Sequence, residues 1–93
     1  MPFQSIKDIF YSIEKDFFEI QMNKDIKSDS GSCALVVFID KRRIIISNIG
    51  DSRVILSIKR GKNIFDLSID HRPSNLIEFE RIKKNGGKVY MYK

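Results

Sequence analysis

Between Cys33 and Ile69, four apolar, β-branched runs follow one another with no room for a helix between them. A parallel strand pair needs a connection of roughly a dozen residues or more, whereas antiparallel strands are joined by a tight turn. This stretch therefore predicts an antiparallel meander. Cys33 to Asp40 is nearly continuous apolar sequence, the pattern of a strand buried on both faces. Lys41 and Arg42 supply the turn into Arg43–Ile49, which is rich in β-branched residues. Gly50 and Asp51 interrupt the run. Ser52–Lys59 resumes it, with Val54, Leu56 and Ile58 alternating against Arg53 and Ser57. Gly61 marks a hairpin turn between Arg60 and Asn63, and Ile64–Ile69 reads as a short fourth strand.

Helical patterns flank the strands. From Phe3 to Met22 the residues Phe3, Ile6, Ile9, Phe10, Ile13, Phe17 and Ile20 recur at steps of three and four, and so predict an amphipathic helix that needs an apolar partner surface. Ser5 with Asp8 has the form of a capping pair near its start. A polar connector, Asn23–Ser32, follows. After Pro73 a second helix is predicted from Ser74 or Asn75 to Lys84, with Ser74 as a suitable cap. Leu76, Phe79 and Ile82 form its stripe, and Glu80 is spaced to pair with Lys84. Asn85-Gly86-Gly87 ends it, and Lys88–Tyr92 begins another strand.

The 93 residues allow one small domain. One cysteine, Cys33, excludes an internal disulfide and favours a reducing, intracellular setting, cytoplasmic or nuclear. Lys7, Asp8, Glu14 and Lys15 interrupt any signal-peptide core, and no apolar run reaches the length of a membrane span. The net charge of +5 admits an acidic partner. However, the basic residues scatter over turns and a helix end, and the aromatics are committed to apolar stripes. A nucleic-acid or membrane partner is not expected.

Single residues carry little chemistry by themselves. His71 could serve a Ser/His/acid hydrolase with Ser52 and Asp70, but no nucleophile-elbow pattern surrounds Ser52, and a turn-shaping role before Pro73 is the better reading. Cys33 reads as a small, buried hydrophobe. Gly86-Gly87 follows a helix and is not a phosphate loop. Asp51, at a strand end after Gly50, is the most interesting carboxylate. One carboxylate makes a poor Mg²⁺ site, and capping of nearby backbone N–H groups is the favoured role on physical grounds.

Three segments taken together resemble a known family. Ser30-Gly31-Ser32-Cys33-Ala34 opens an apolar strand, Asn48-Ile49-Gly50-Asp51-Ser52-Arg53 joins two strands, and Asp70-His71-Arg72-Pro73 leads through Glu78, Arg81 and Ile82 to Gly86-Gly87-Lys88-Val89. In order and spacing they are similar to the metal-dependent protein serine/threonine phosphatases of type 2C (the PPM type), with Cys33 where that family usually has threonine.

The resemblance implies an α+β fold: a partial α-β-β-α sandwich of antiparallel sheets flanked by helices, incomplete at both ends. Residues 1–93 would be the central fragment of a single phosphatase domain. It further implies Mg²⁺ or Mn²⁺ as cofactors of the complete domain, hydrolysis of phosphoserine and phosphothreonine by a metal-activated water, and a phosphoprotein substrate. Asp51 corresponds to an accessory metal residue, and the Asp70–Pro73 segment to a structural part of the fold. The family's F-D-G-H-G-G segment, its phosphate-gripping arginine and its later D-G and D-N segments have no counterpart in this sequence. No catalytic residue is therefore assigned, no metal is expected to bind this chain tightly, and the chain alone is expected to be inactive. The competing expectation is a noncatalytic pseudophosphatase or protein-binding module.

Overall fold

The structure, a computed structural model, describes residues 3–23, 25 and 28–91. The chain divides into two compact units, residues 1–31 and 32–93.

The first unit is built on helix α1, Phe3–Gln21, one residue shorter than the periodicity predicts. Ser5 lies inside it, and Asp8 accepts a hydrogen bond from Gln4 Nε2 at 3.0 Å, so the expected Ser5–Asp8 cap does not form. Phe3, Ile9, Ile13 and Ile20 on the stripe are each more than half exposed, leaving much of the apolar face open to solvent. At its C-terminal end Gln21 Nε2 donates to the carbonyls of Ser28 and Ser30 and so ties these two residues to the helix end.

The second unit contains two antiparallel hairpins and a helix. Strands β1 (Ala34–Ile39) and β2 (Ile44–Ile49) pair in a register running from Ala34 opposite Ile49 to Ile39 opposite Ile44. Strands β3 (Ile55–Ile58) and β4 (Asn63–Asp66) pair from Ile55 opposite Asp66 to Ile58 opposite Asn63. These are two separate two-stranded sheets, not the predicted single meander. The reason lies at Gly50–Val54. Gly50 takes a φ of 109°, open only to glycine, which turns the chain out of the β2 ladder, and pairing resumes only at Ile55. All four strands are accordingly shorter than the apolar runs suggest. The β3–β4 sheet is extended irregularly by Leu67 N–H donating to the Val54 carbonyl at 3.0 Å and by Val54 N–H donating to Ser68 Oγ at 2.9 Å.

Ile45, opposite Phe38, is the buried core residue of this unit. β1 is not buried on both faces as its composition suggests: Val36, Val37 and Ile39 are exposed. The predicted alternation around β3 holds only in part: Val54 and Leu56 are half-buried and Arg53 and Ser57 exposed, but Ile58 is exposed as well.

Helix α2 spans Leu76–Lys84. Its cap is Asn75, not Ser74: Asn75 Oδ1 accepts from the N–H groups of Ile77 at 3.0 Å and Glu78 at 3.3 Å. Within it Arg81, not Lys84, makes the ion pair, reaching Glu78 one turn back. Leu76 faces solvent, whereas Phe79 and Ile82 are half-buried. The helix ends in a Schellman arrangement. Gly87 N–H donates to the Ile82 carbonyl at 2.9 Å and Gly86 N–H to Lys83 at 3.1 Å, with Gly86 at a φ of 86°. Residues 88–91 pair with no strand among the described residues. The remainder of that predicted strand, Tyr92, lies outside them.

Candidate functional site

The loop after β2 and the loop before α2 close on each other, residue against residue. Gly50 donates its N–H to His71 Nδ1 at 3.2 Å and accepts the His71 N–H on its carbonyl at 2.9 Å. Asn48, on β2, adds its side-chain amide, donating to the Ile69 carbonyl at 3.1 Å and to the Gly50 carbonyl at 3.4 Å. Arg53 forms a two-pronged pair with Asp70, through Nε at 3.1 Å and Nη2 at 2.7 Å. Arg72 then reaches back, placing Nε 3.4 Å from Asp51 Oδ2 and Nη2 3.8 Å from Asp70. Gly50, Asp51 and Arg53 are thus each matched by a residue of the Asp70–Arg72 run.

The electrostatics follow from this pairing. The Arg53 hydrogen bond holds the Asp70 carboxyl below the usual aspartate range, with the charges of Arg53 and Arg72 adding to it. Reciprocally, Asp70 raises Arg53 above its ordinary value. Asp70 keeps 16% of its side chain exposed but Arg53 keeps 58%, so the pair is open to solvent on the arginine side and is screened as surface ion pairs are.

Asp51 departs from its sequence-based reading. No backbone N–H caps it among the described residues. Its Oδ1 accepts the Cys33 thiol at 3.3 Å and its Oδ2 faces Arg72, while about half of the side chain remains exposed. Cys33 is itself exposed, not buried as its apolar neighbours suggest. It lies so close to Gly50 that a Cβ there would stand 2.5 Å from Cys33 Sγ and 3.0 Å from Cys33 Cβ. The close packing of the two chains at this crossing therefore also demands glycine.

His71 is not arranged for hydrolase chemistry with Ser52. Its Nδ1 accepts from Gly50, its Nε2 lies 3.9 Å from Glu78 Oε1, and no hydrogen bond links it to Ser52 among the described residues. The roles of Asn48, Arg72 and Glu78 escape sequence patterning. Asn48 and Glu78 belong to the segments that carry the family resemblance, and that is the only signal pointing to them.

The residues present do not fit a two-metal centre. Among the described residues no three of His, Cys, Asp or Glu gather in a way that could hold a metal ion. A divalent cation that keeps most of its waters still takes further carboxylates or phosphate oxygens besides one aspartate. No described helix is long and apolar enough to cross a membrane.

This interlocked pair of loops, on antiparallel hairpins followed by a helix, is the part of the chain on which the family segments converge. The family model of protein phosphatase 2C matches residues 3–93, and the chain belongs to that family. Among its relatives, human "Protein phosphatase 1G" is 47% identical over 64 residues, covering 69% of this chain and 11% of the relative. Arabidopsis thaliana "Probable protein phosphatase 2C 27" is 40% identical over 87 residues, covering 94% of this chain and 22% of the relative. Rice "Probable protein phosphatase 2C 21" is 48% identical over 64 residues, 69% of this chain and 18% of the relative. The chain thus spans less than a quarter of the length of these relatives. No solved structure matches it.

Proposed function

We propose that residues 1–93 are the central part of a single protein serine/threonine phosphatase domain of the type 2C kind. The complete domain hydrolyses phosphoserine and phosphothreonine in protein substrates with a water activated by Mg²⁺ or Mn²⁺. The observation that supports this best is the pairing of Gly50, Asp51 and Arg53 with His71, Arg72 and Asp70, since these are the segments through which the chain resembles the family. In such a domain Asp51 would contribute one accessory carboxylate to the metal shell. The chain by itself is inactive, because one half-exposed carboxylate already paired with Arg72 cannot assemble a two-metal centre.

The test is a segment exchange. The 64 residues of human protein phosphatase 1G that this chain matches are replaced by those of this chain. The chimera is then assayed on a phosphothreonine peptide with and without Mn²⁺, beside the isolated chain. Metal-dependent turnover by the chimera and none by the isolated chain are expected. A folded but inactive chimera overturns the reading and favours a noncatalytic binding module. Turnover by the isolated chain overturns its assigned inactivity.

A further inference from the structure

We propose that His71 is a positioning residue, locked in its Nε2–H tautomer, whose imidazole orients the Gly50–Asp51 segment and so aims the Asp51 carboxylate. Two backbone groups meet the histidine on one side. Gly50 N–H points at Nδ1 from 3.2 Å and the Gly50 carbonyl takes the His71 N–H at 2.9 Å. Nδ1 can accept that bond only if it carries no proton, so the ring proton sits on Nε2. The other face of the ring agrees: Nε2 lies 3.9 Å from Glu78 Oε1 on α2, a carboxylate that favours an N–H toward it.

Glu78 is itself held on two sides. Arg81 pairs with its carboxylate, and the Asn75 cap binds its backbone N–H at 3.3 Å. The order therefore runs from the cap of α2 to Glu78, to the imidazole, to Gly50. Gly50 has a φ of 109° and no side chain, so nothing of its own holds this conformation; the two bonds to His71 do. Asp51 is the next residue, and Arg72, next to His71, completes the arrangement at Asp51 Oδ2. The inference rests on the proposed phosphatase reading only for the use made of Asp51. The tautomer and the orientation are properties of this chain.

The experiment uses the full 93-residue chain labelled with ¹⁵N. Long-range imidazole spectra of the neutral ring report which nitrogen bears the proton, and amide exchange reports the Gly50 N–H. An acceptor-type Nδ1 and a protonated Nε2 are expected. H71N keeps an oxygen acceptor where Nδ1 stood, whereas H71L keeps the bulk without an acceptor. Gly50 exchange in H71N should stay near that of the parent. In H71L it should accelerate by about fivefold, the scale of one lost hydrogen bond. The Asp51 χ1 should average over rotamers in H71L alone. A proton on Nδ1, or equal behaviour of H71N and H71L, overturns the proposal, and the tautomer measured on the parent decides even if a variant fails to fold. No readout involves metal or turnover, so failure here with an active chimera sinks the positioning role alone.

Discussion

Gly50 and His71, 21 residues apart, satisfy both backbone polar groups of the glycine: its N–H donates to the imidazole at 3.2 Å and its carbonyl accepts the His71 N–H at 2.9 Å. The relationship joins the end of β2 to the loop that launches α2. It also fixes what can stand at position 50, because the φ of 109° and the nearness of Cys33 independently exclude a side chain.

Two costs are therefore expected in Gly50→Ala: a backbone cost of roughly 1–3 kcal/mol for the sparsely populated conformation, and a steric one against Cys33. The double variant C33A/G50A removes the Sγ that a Cβ would meet at 2.5 Å and keeps the Cβ at 3.0 Å. Urea unfolding should show a large loss in the single variant and only partial recovery in the double. Full recovery would mean that φ at Gly50 relaxes freely.

Asp70 gives the clasp an acid dependence of predictable sign. Its carboxyl titrates below its ordinary value of 3.8, chiefly because Arg53 hydrogen-bonds it. A carboxylate depressed in the folded state contributes its full stabilisation above the unfolded value. That contribution is lost as pH falls through the lower, folded value. Stability in wild type relative to D70N should thus be constant from neutrality down to about pH 4 and shrink below it. A difference that disappears between pH 6 and 5 would show that Asp70 is not held by Arg53.

Most elements were legible in the sequence, because helix periodicity and β-branched runs are local signals. Both helices and all four strands in the 33–69 stretch stand where these signals put them, within a few residues. What failed was anything decided by a distant partner. Gly50 and Asp51 were visible as an interruption, but that they divide one expected meander into two hairpins depends on His71 and Cys33. The exposure of Val36, Val37 and Ile39 could not be read from their hydrophobicity, which states what a residue prefers and not what the described residues cover. At the site, the segments were recognisable while their interactions were not: Arg72 on Asp51 and Glu78 beside His71 involve no periodic pattern.

The β3–β4 turn carries a conformational cost that can be removed. Lys59 and Arg60 take φ values of 52° and 56°, the left-handed region, ahead of Gly61 at 84°. For an L-residue with a side chain that conformation costs roughly 1–2 kcal/mol, and glycine escapes it. Arg60→Gly should therefore stabilise the chain by about 1 kcal/mol, less what the more flexible unfolded chain gives back. An upward shift of the urea midpoint at constant slope is the expected reading. A downward shift would mean that Arg60 is held there by a favourable interaction.

Ser74 and Asn75 separate the sequence expectation from the structure at a single helix start. Either residue type can cap, but only Asn75 turns its side-chain oxygen onto the N–H groups of Ile77 and Glu78, at 3.0 and 3.3 Å. Asn75→Ala should cost about 1 kcal/mol, the usual value of a lost cap, whereas Ser74→Ala should be close to neutral. The Asn75 effect should also travel. Loosening the first turn of α2 frees Glu78, which lies 3.9 Å from His71 Nε2, so amide exchange at Gly50 should rise in N75A and stay unchanged in S74A. Equal destabilisation by the two substitutions would move the cap back to Ser74. A destabilised N75A with an unchanged Gly50 amide would show that the cap and the loop crossing are independent.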